Sequence, residues 1–158
     1  MTAPIESVWD YPRPPRLEPC DSLVRVVHAG VVLCETRRSL RLLETSHPPT
    51  FYLPPDDCAQ EHLRAIAGKS SFCEYKGVAK YWTLDLPGVG PVAVAWSYPS
   101  PTPQYAGLKD HLAFYASRVE ECTVDGERAV AQPGDFYGGW ITSRVKGPFK
   151  GGAGTMGW

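Results

Sequence analysis

The chain has 158 residues, with 16 basic and 17 acidic side chains, a net charge of -1 and 43% hydrophobic residues. This composition predicts one globular domain that is long enough to bury a core. The balanced charge argues against nucleic-acid binding and against a membrane-surface protein, because both need a basic face. The sequence contains neither an apolar run of the roughly 20 residues that span a bilayer nor the apolar segment of a secretory signal. We therefore expect a cytoplasmic protein whose five cysteines are free thiols.

The first 22 residues predict an extended, proline-rich arm. Five prolines in residues 4–19 disfavour a helix. Trp9 and Tyr11 would be costly to leave in water, so we expect the arm to pack on the domain or on a second subunit.

Residues 23–131 predict a β-rich domain. The apolar runs 23–28 and 31–35 flank Gly30, which can adopt the positive φ of a hairpin turn. The pair Asp125-Gly126 is the strongest short hairpin signal in the chain. Seven to eight strands are expected from such patterns, which favours an antiparallel sheet architecture.

Two short helices are also predicted in this domain. The first runs from Thr36 or Ser39 through Leu43, with a hydroxyl cap and arginines on its outer face. The second covers residues 58–67, which have helical propensity, and it ends at Gly68.

A hairpin of residues 73–82 and 92–98 is the central feature of the sequence. It combines a thiol, two amines, Gly77 and several aromatic side chains, and the segment 86–91 has the composition of a turn. Lys76 lies among aromatic residues, so we consider it as a ligand-binding amine or as an ordinary exposed lysine.

The C-terminal segment, residues 132–158, is rich in glycine and aromatic residues. We expect its aromatic side chains to anchor it on the domain or on a neighbouring subunit, and a mobile tail is the alternative.

Several familiar motifs are incomplete. Residues 68–70 read as the end of a phosphate-binding loop but lack its first glycine, and residues 152–157 spell a dinucleotide motif without a strand and helix around it. The acidic pairs 56–57 and 120–121 are adjacent rather than alternating, so neither predicts a metal site. No metal or cofactor is expected. Cys73 could pair with His28, His47, His62 or His111, but a buried inert thiol is the preferred interpretation.

The motifs together resemble the bacterial domain-of-unknown-function family 427 over nearly the whole chain. The residues that carry the resemblance are Tyr52-x-Pro54, Cys73-x-x-Lys76-Gly77-x-Ala79-x-Tyr81, Ala95-Trp96-x-Tyr98-x-x-Pro101, Phe114-Tyr115 and Val124-Asp125-Gly126-Glu127. The resemblance implies a β-tent fold, in which antiparallel sheets meet at an angle, and a provisional nucleotidyltransferase label. Relatives with this fold hold zinc through C-x-x-C pairs, which this chain lacks.

We accordingly predict a β-tent domain that binds a small anionic or carbonyl-containing metabolite in an aromatic pocket. The predicted binding residues are Tyr52, Lys76, Tyr81, Trp96, Tyr98 and Tyr115. If the domain is an enzyme, Lys76 and Tyr81 are the candidates for proton transfer. One alternative is a structural module that dimerises through Trp9, Tyr11 and the C-terminal segment. A nucleotidyltransferase is the weaker alternative.

Overall fold

The computed structural model describes residues 4–73, 75–87, 92–134 and 137–158. These residues form short strands joined by turns and four 3-10 helices. The strands are β1 (Glu6–Ser7), β2 (Arg16–Cys20), β3 (Val24–His28), β4 (Val31–Thr36), β5 (Ser39–Leu43), β6 (Thr50–Tyr52), β7 (Leu63–Cys73), β8 (Gly77–Leu84), β9 (Ala95–Ser97), β10 (Ala113–Phe114), β11 (Glu121–Val124), β12 (Glu127–Arg128), β13 (Val130–Ala131), β14 (Trp140–Ile141) and β15 (Val145–Lys146). The 3-10 helices are Val8–Asp10, Pro55–Asp57, Gln60–His62 and Pro103–Leu108.

Three antiparallel sheets form the body of the protein. Their strand orders are β12-β11-β3-β4, β10-β9-β8-β7 and β2-β5-β6. Strands β1 and β15 form a parallel pair, and β13 and β14 form an antiparallel pair. The prediction of a mainly β fold built from antiparallel sheets is confirmed.

The two hairpins predicted from glycine-containing turns are both present. Residues 29–30 join β3 to β4 with φ angles of 51° and 75°, and residues 125–126 join β11 to β12 with φ angles of 49° and 83°. Asp125 also stabilises the second turn through its carboxylate, which accepts hydrogen bonds from the Leu23 amide at 2.7 Å and from Arg144 at 2.6 Å. Both turns were therefore predicted correctly from the local sequence.

Both predicted helices are wrong. Residues Ser39–Leu43 form β5, whose two edges are paired with β2 and β6. Of the segment 58–67, only Gln60–His62 is helical, and the rest belongs mainly to the long strand β7. Strand pairing overrides the helical propensity of both segments, because propensity differences amount to only about 0–0.7 kcal/mol per ordinary residue.

The central hairpin is confirmed as β8 and β9, in which Tyr81 lies opposite Trp96. Its first residues differ from the prediction, because Tyr75 and Lys76 form the turn between β7 and β8 rather than part of a strand. The predicted turn at 86–91 falls mostly on residues 88–91, which lie outside the described residues.

The sheet of β7 to β10 separates two clusters of buried side chains. Successive residues of a strand point to opposite faces. Trp82, Ala95 and Phe114 therefore pack in the main core against β3, β4 and β11. Tyr81, Trp96 and Tyr115 pack on the other face, with a mainly aromatic cluster. This second cluster contains the buried residues Leu42, Tyr52, Ala79, Trp96, Tyr98, Tyr105, Leu108, Ala113 and Tyr115.

The N-terminal arm and the C-terminal segment contact each other within one chain. Val8 and Tyr11 are buried, and Tyr11 donates a hydrogen bond to Glu6 at 2.7 Å. The Trp9 indole donates to the Pro148 carbonyl at 2.8 Å, and its ring centroid lies 5.2 Å from that of Trp158. These contacts hold the two ends of the described chain together.

Trp140 anchors the C-terminal segment in the main core. Its side chain is 1% exposed, it stacks on Phe51 with ring centroids 5.1 Å apart, and its indole donates to the Phe114 carbonyl at 2.9 Å. None of the described helices is long and apolar enough to cross a membrane.

Candidate functional site

A cavity of about 300 Å³ opens on the aromatic face of the β7–β10 sheet. One wall comes from this sheet, a second from β5, β6 and the loop between them, and a third from the C-terminal segment. The residues around it are Leu42, Glu44, His47, Thr50, Ser71, Phe72, Cys73, Tyr75, Lys76, Tyr81, Trp96, Tyr98, Tyr115, Gln132, Tyr137, Gly138 and Lys150.

Four of the predicted aromatic residues line this cavity: Tyr81, Trp96, Tyr98 and Tyr115. Trp96 and Tyr115 are in contact, with ring centroids 4.7 Å apart. The Tyr81 hydroxyl lies 2.7 Å from that of Ser71. Burial raises the pKa of Tyr115 to about 12 and also raises that of Tyr98, so both stay protonated at neutral pH. The wall thus presents rings and neutral hydroxyl groups.

Tyr52, the remaining aromatic residue of the predicted set, lies beneath the wall rather than in it. It is 0% exposed, and its hydroxyl accepts a hydrogen bond from the Trp96 indole at 3.4 Å. Its ring centroid is 6.3 Å from those of both Trp96 and Tyr98. Tyr52 therefore holds the two wall residues in place and does not itself reach the cavity.

Lys76 lies at the cavity on the turn between β7 and β8. Thr102 fixes this turn, since its amide donates to the Lys76 carbonyl at 3.3 Å and its hydroxyl donates to the Tyr75 carbonyl. Gly77, the first residue of β8 after this turn, has a φ of 104°, a backbone conformation that favours glycine. The Lys76 ammonium lies 5.6 Å from the centroid of the Tyr98 ring, within the range of a cation–π contact.

The third wall was not predicted from the sequence. It contributes Gln132, Tyr137, Gly138 and Lys150. Gly138 lies against Trp96 so closely that a Cβ atom there would overlap the indole ring. The Lys150 ammonium lies 5.5 Å from the centroid of the Tyr137 ring. The signal in the sequence was a glycine- and aromatic-rich segment that contains two lysines, Lys146 and Lys150, which does not identify a partner.

Gln132 joins this wall to the loop between β5 and β6. Gln132 is only 3% exposed. Its amide nitrogen donates to the Lys150 carbonyl at 2.8 Å and contacts His47 Nδ1 at 3.1 Å, while its oxygen accepts from the Gly139 amide at 3.1 Å. Because the amide nitrogen can only donate, Nδ1 of His47 is the acceptor, and the proton of the neutral ring is on Nε2.

His47 is the histidine that the fold brings to the same cavity as Cys73. Burial, together with the charges of Lys150, Arg13 and Lys76, lowers the pKa of His47 from 6.5 to about 4. The imidazole is therefore neutral at physiological pH. Cys73 is half-buried and lies in the wall, so it differs from the fully buried, inert thiol that was the preferred prediction.

Among the described lining residues, basic side chains outnumber acidic ones. Glu44, the acidic side chain of this described lining, forms an ion pair with Arg13 at 3.5 Å and lies 3.8 Å from His47 Nε2. Lys76 and Lys150 have aromatic partners, and neither forms an ion pair with any residue that the structure describes. The described part of the site therefore presents two ammonium groups beside rings and hydroxyls.

Within the described ranges, no group of three or more His, Cys, Asp or Glu side chains is arranged to hold a metal ion.

A comparison with known protein families shows that residues 16–125 match the family described as "Domain of unknown function (DUF427)". No curated protein matches the chain. The match includes β2 through β11 and all six predicted binding residues, and it covers well over half of the sequence. The chain therefore belongs to the DUF427 family.

Proposed function

We propose that the cavity binds a small metabolite that carries an anionic or carbonyl group on a flat, apolar body. The observation that carries the proposal is the presence of Lys76 and Lys150, without carboxylate partners among the described residues, at one aromatic-lined cavity. Ligand sites typically combine apolar walls with a small number of polar groups that orient the ligand. Each ammonium can bind a carboxylate, a phosphate or a carbonyl oxygen.

The volume limits the size of the ligand. The cavity of about 300 Å³ lies at the lower end of the range of about 300–1,000 Å³ that is typical of small-molecule sites. This volume suits a small aromatic acid, a keto acid or an aryl phosphate better than a nucleoside triphosphate. The size of the cavity therefore favours a metabolite of one ring or one short chain.

The protonation states of the wall support an anion rather than a cation. Tyr98 and Tyr115, whose pKa values burial raises, keep their protons, and His47 is neutral at physiological pH. These three groups therefore cannot compensate a positive ligand. Glu44 is already paired with Arg13. A cationic ligand would meet two ammonium groups and no available carboxylate in this described wall, whereas an anion would gain charge-assisted hydrogen bonds.

A reaction at this site would use the exchangeable protons of the wall. Lys76 and Tyr81 are the candidates for proton transfer, and the Tyr81 hydroxyl is already hydrogen-bonded to that of Ser71. This arrangement supports a proton relay, because each hydroxyl both donates and accepts. Binding is the primary proposal, and catalysis is its extension.

The test is an isothermal titration calorimetry experiment in which the purified protein is titrated separately with benzoate, 2-oxoglutarate and phenyl phosphate. Benzyl alcohol serves as the uncharged control, and ATP with Mg²⁺ tests the nucleotidyltransferase alternative. We expect binding of at least one of the three anions and a loss of about ten- to a hundredfold in affinity in Lys76→Ala and Lys150→Ala, as when a charge-assisted hydrogen bond is removed.

Lys80→Ala is the matched control. Lys80 also lies over an aromatic ring, at 4.5 Å from the centroid of Trp82, but it is on the opposite face of β8 and does not line the cavity. Its removal should leave the affinity unchanged. Equal binding of benzyl alcohol, unchanged affinity in Lys76→Ala, or no binding of any of the three anions at millimolar concentration would overturn the proposal.

A further inference from the structure

Two cysteines of the main core face each other at a site separate from the cavity. Cys34 lies in β4, and Cys58 follows the 3-10 helix Pro55–Asp57. An isolated antiparallel bridge makes these two residues direct cross-strand neighbours. Neither is part of the cavity wall, and both are free thiols in this structure.

The hydrogen bonds identify the type of this bridge. The Ala59 amide donates to the Leu33 carbonyl at 2.7 Å, so the bond joins the residue after one cysteine to the residue before the other. In an antiparallel ladder this pattern marks a non-hydrogen-bonded pair, whose Cα atoms lie about 4.5 Å apart with their side chains close together. That spacing is inside the range of about 4.4–6.8 Å that a disulfide requires.

The side chains interact as well as the backbones. The neighbouring Cys58 thiol is the main cause that raises the pKa of Cys34, and Cys58 Sγ donates a hydrogen bond to the Pro54 carbonyl at 3.4 Å. Cys34 is 1% exposed, whereas Cys58 is half-buried. A reagent from solvent would therefore reach Cys58 first, with Cys34 already next to it.

Cys122 is the nearest alternative partner by strand order, but it is too far away. Val26 pairs with Cys122 on one side and with Cys34 on the other. The two cysteines are thus separated by two strand spacings, about 9–10 Å, which exceeds the limit of about 7 Å for a disulfide. This distance makes the Cys122 thiol a suitable internal control.

We propose that Cys34 and Cys58 form a reversible disulfide by exchange with a small disulfide such as oxidised glutathione. The thiolate of Cys58 attacks one sulfur of the reagent, which gives a mixed disulfide and releases one glutathione thiol. Cys34 then attacks the Cys58 sulfur and releases the second glutathione. Two protein thiols are oxidised, one glutathione disulfide is reduced to two thiols, and the two protons from the cysteines pass to the released glutathione.

The disulfide would close a loop that contains part of the cavity wall. Residues 35–57 include β5, β6 and the loop between them, and therefore the wall residues Leu42, Glu44, His47 and Thr50. Cross-linking the ends of this segment restricts the unfolded chain and stabilises the folded one. Oxidation would thus stabilise the unit that carries one side of the cavity.

The experiment is to incubate the full-length protein with increasing ratios of oxidised to reduced glutathione, trap it at low pH, and measure intact mass and peptide maps. We expect the loss of two hydrogen atoms, a Cys34–Cys58 cross-linked peptide, reversal by dithiothreitol, and an increase in Tm of roughly 5–10 °C. The cross-link should persist in Cys122→Ala and Cys20→Ser and be absent in Cys58→Ser.

The half-buried position of Cys58 makes Cys58→Ser the safer variant, because serine at the buried Cys34 could destabilise the core. Three results would overturn the proposal: no cross-link at any glutathione ratio, a cross-link that involves a cysteine other than these two, or a wild-type protein that stops at one bound glutathione.

Discussion

Acidification is expected to destabilise this protein through His47. The unfolded chain binds a proton at this residue near pH 6.5, whereas the folded protein does so only near pH 4. Between these values the unfolded state holds more protons, so stability falls as the pH falls. The stabilisation from a neutral His47 is fully present above about pH 6.5 and is lost as the pH falls to about 4.

The size of the effect follows from the pKa difference. The decrease from 6.5 to about 4 corresponds to about 3 kcal/mol, since each pKa unit is equivalent to about 1.4 kcal/mol. The His47 side chain is only 12% exposed, so solvent screens the effect little. Three cations, Lys150, Arg13 and Lys76, act together with burial against protonation of His47. Glu44, which lies 3.8 Å from Nε2, acts in the opposite direction because a carboxylate favours the protonated ring.

The assay is urea denaturation between about pH 7.5 and about pH 4.5, the interval in which His47 dominates, for the wild type and His47→Gln. The glutamine can still accept the hydrogen bond from Gln132 but cannot titrate. We expect the wild type to lose up to about 3 kcal/mol more than the variant. Carboxylates such as Asp57, whose pKa the hydrogen bond from Arg38 lowers, lose their stabilising effect as the pH falls through that lowered pKa, and they do so in both proteins. Parallel stability curves would refute the reasoning.

Two further variants test the cavity wall and a hairpin. Gly138→Ala should destabilise the fold by about 1–3 kcal/mol, because its methyl group would overlap the Trp96 ring; Gly152→Ala, which has open space around it, is the control, and equal denaturation midpoints would contradict the clash. Asp125→Ala should cost about 1–3 kcal/mol by removing the two charge-assisted hydrogen bonds that its carboxylate accepts. Asp110→Ala is the control, since Asp110 also has a positive φ of 59°, and an equal loss of stability in both variants would assign the effect to the backbone alone.

The parts of the fold that the sequence predicted correctly are those decided by a few neighbouring residues. The turns at 29–30 and 125–126 have positive φ angles, and the glycine in each turn predicts this conformation. The segments 39–43 and 58–67 were predicted wrongly because their structure depends on partners distant in sequence. Strand β5 is stabilised by β2 and β6, and residues 63–65 are stabilised by pairing with β8. No local pattern encodes such pairing.

The candidate site divides in the same way. Tyr81 and Trp96 are cross-strand neighbours in one hairpin, so strand periodicity alone brings them to one face. Tyr52 belongs to the same aromatic cluster, but periodicity cannot distinguish a wall residue from one beneath the wall, and it is fully buried. His47 and Lys150 come together because Gln132 bonds to both and because the Lys150 amide donates to the Ser46 carbonyl at 2.8 Å. These are tertiary interactions without a sequence signal.

The buried amide of Gln132 makes the C-terminal segment part of the site rather than an attachment to it. Its nitrogen and oxygen bond to Lys150 and Gly139 within the segment and to His47 outside it. A buried amide that lost these three hydrogen bonds would cost about 1–3 kcal/mol. The family match ends at residue 125, so Lys76 belongs to the family domain and Lys150 does not. The second positive charge of the cavity, and with it the preference for anions that we propose, therefore depends on a segment beyond the matched domain.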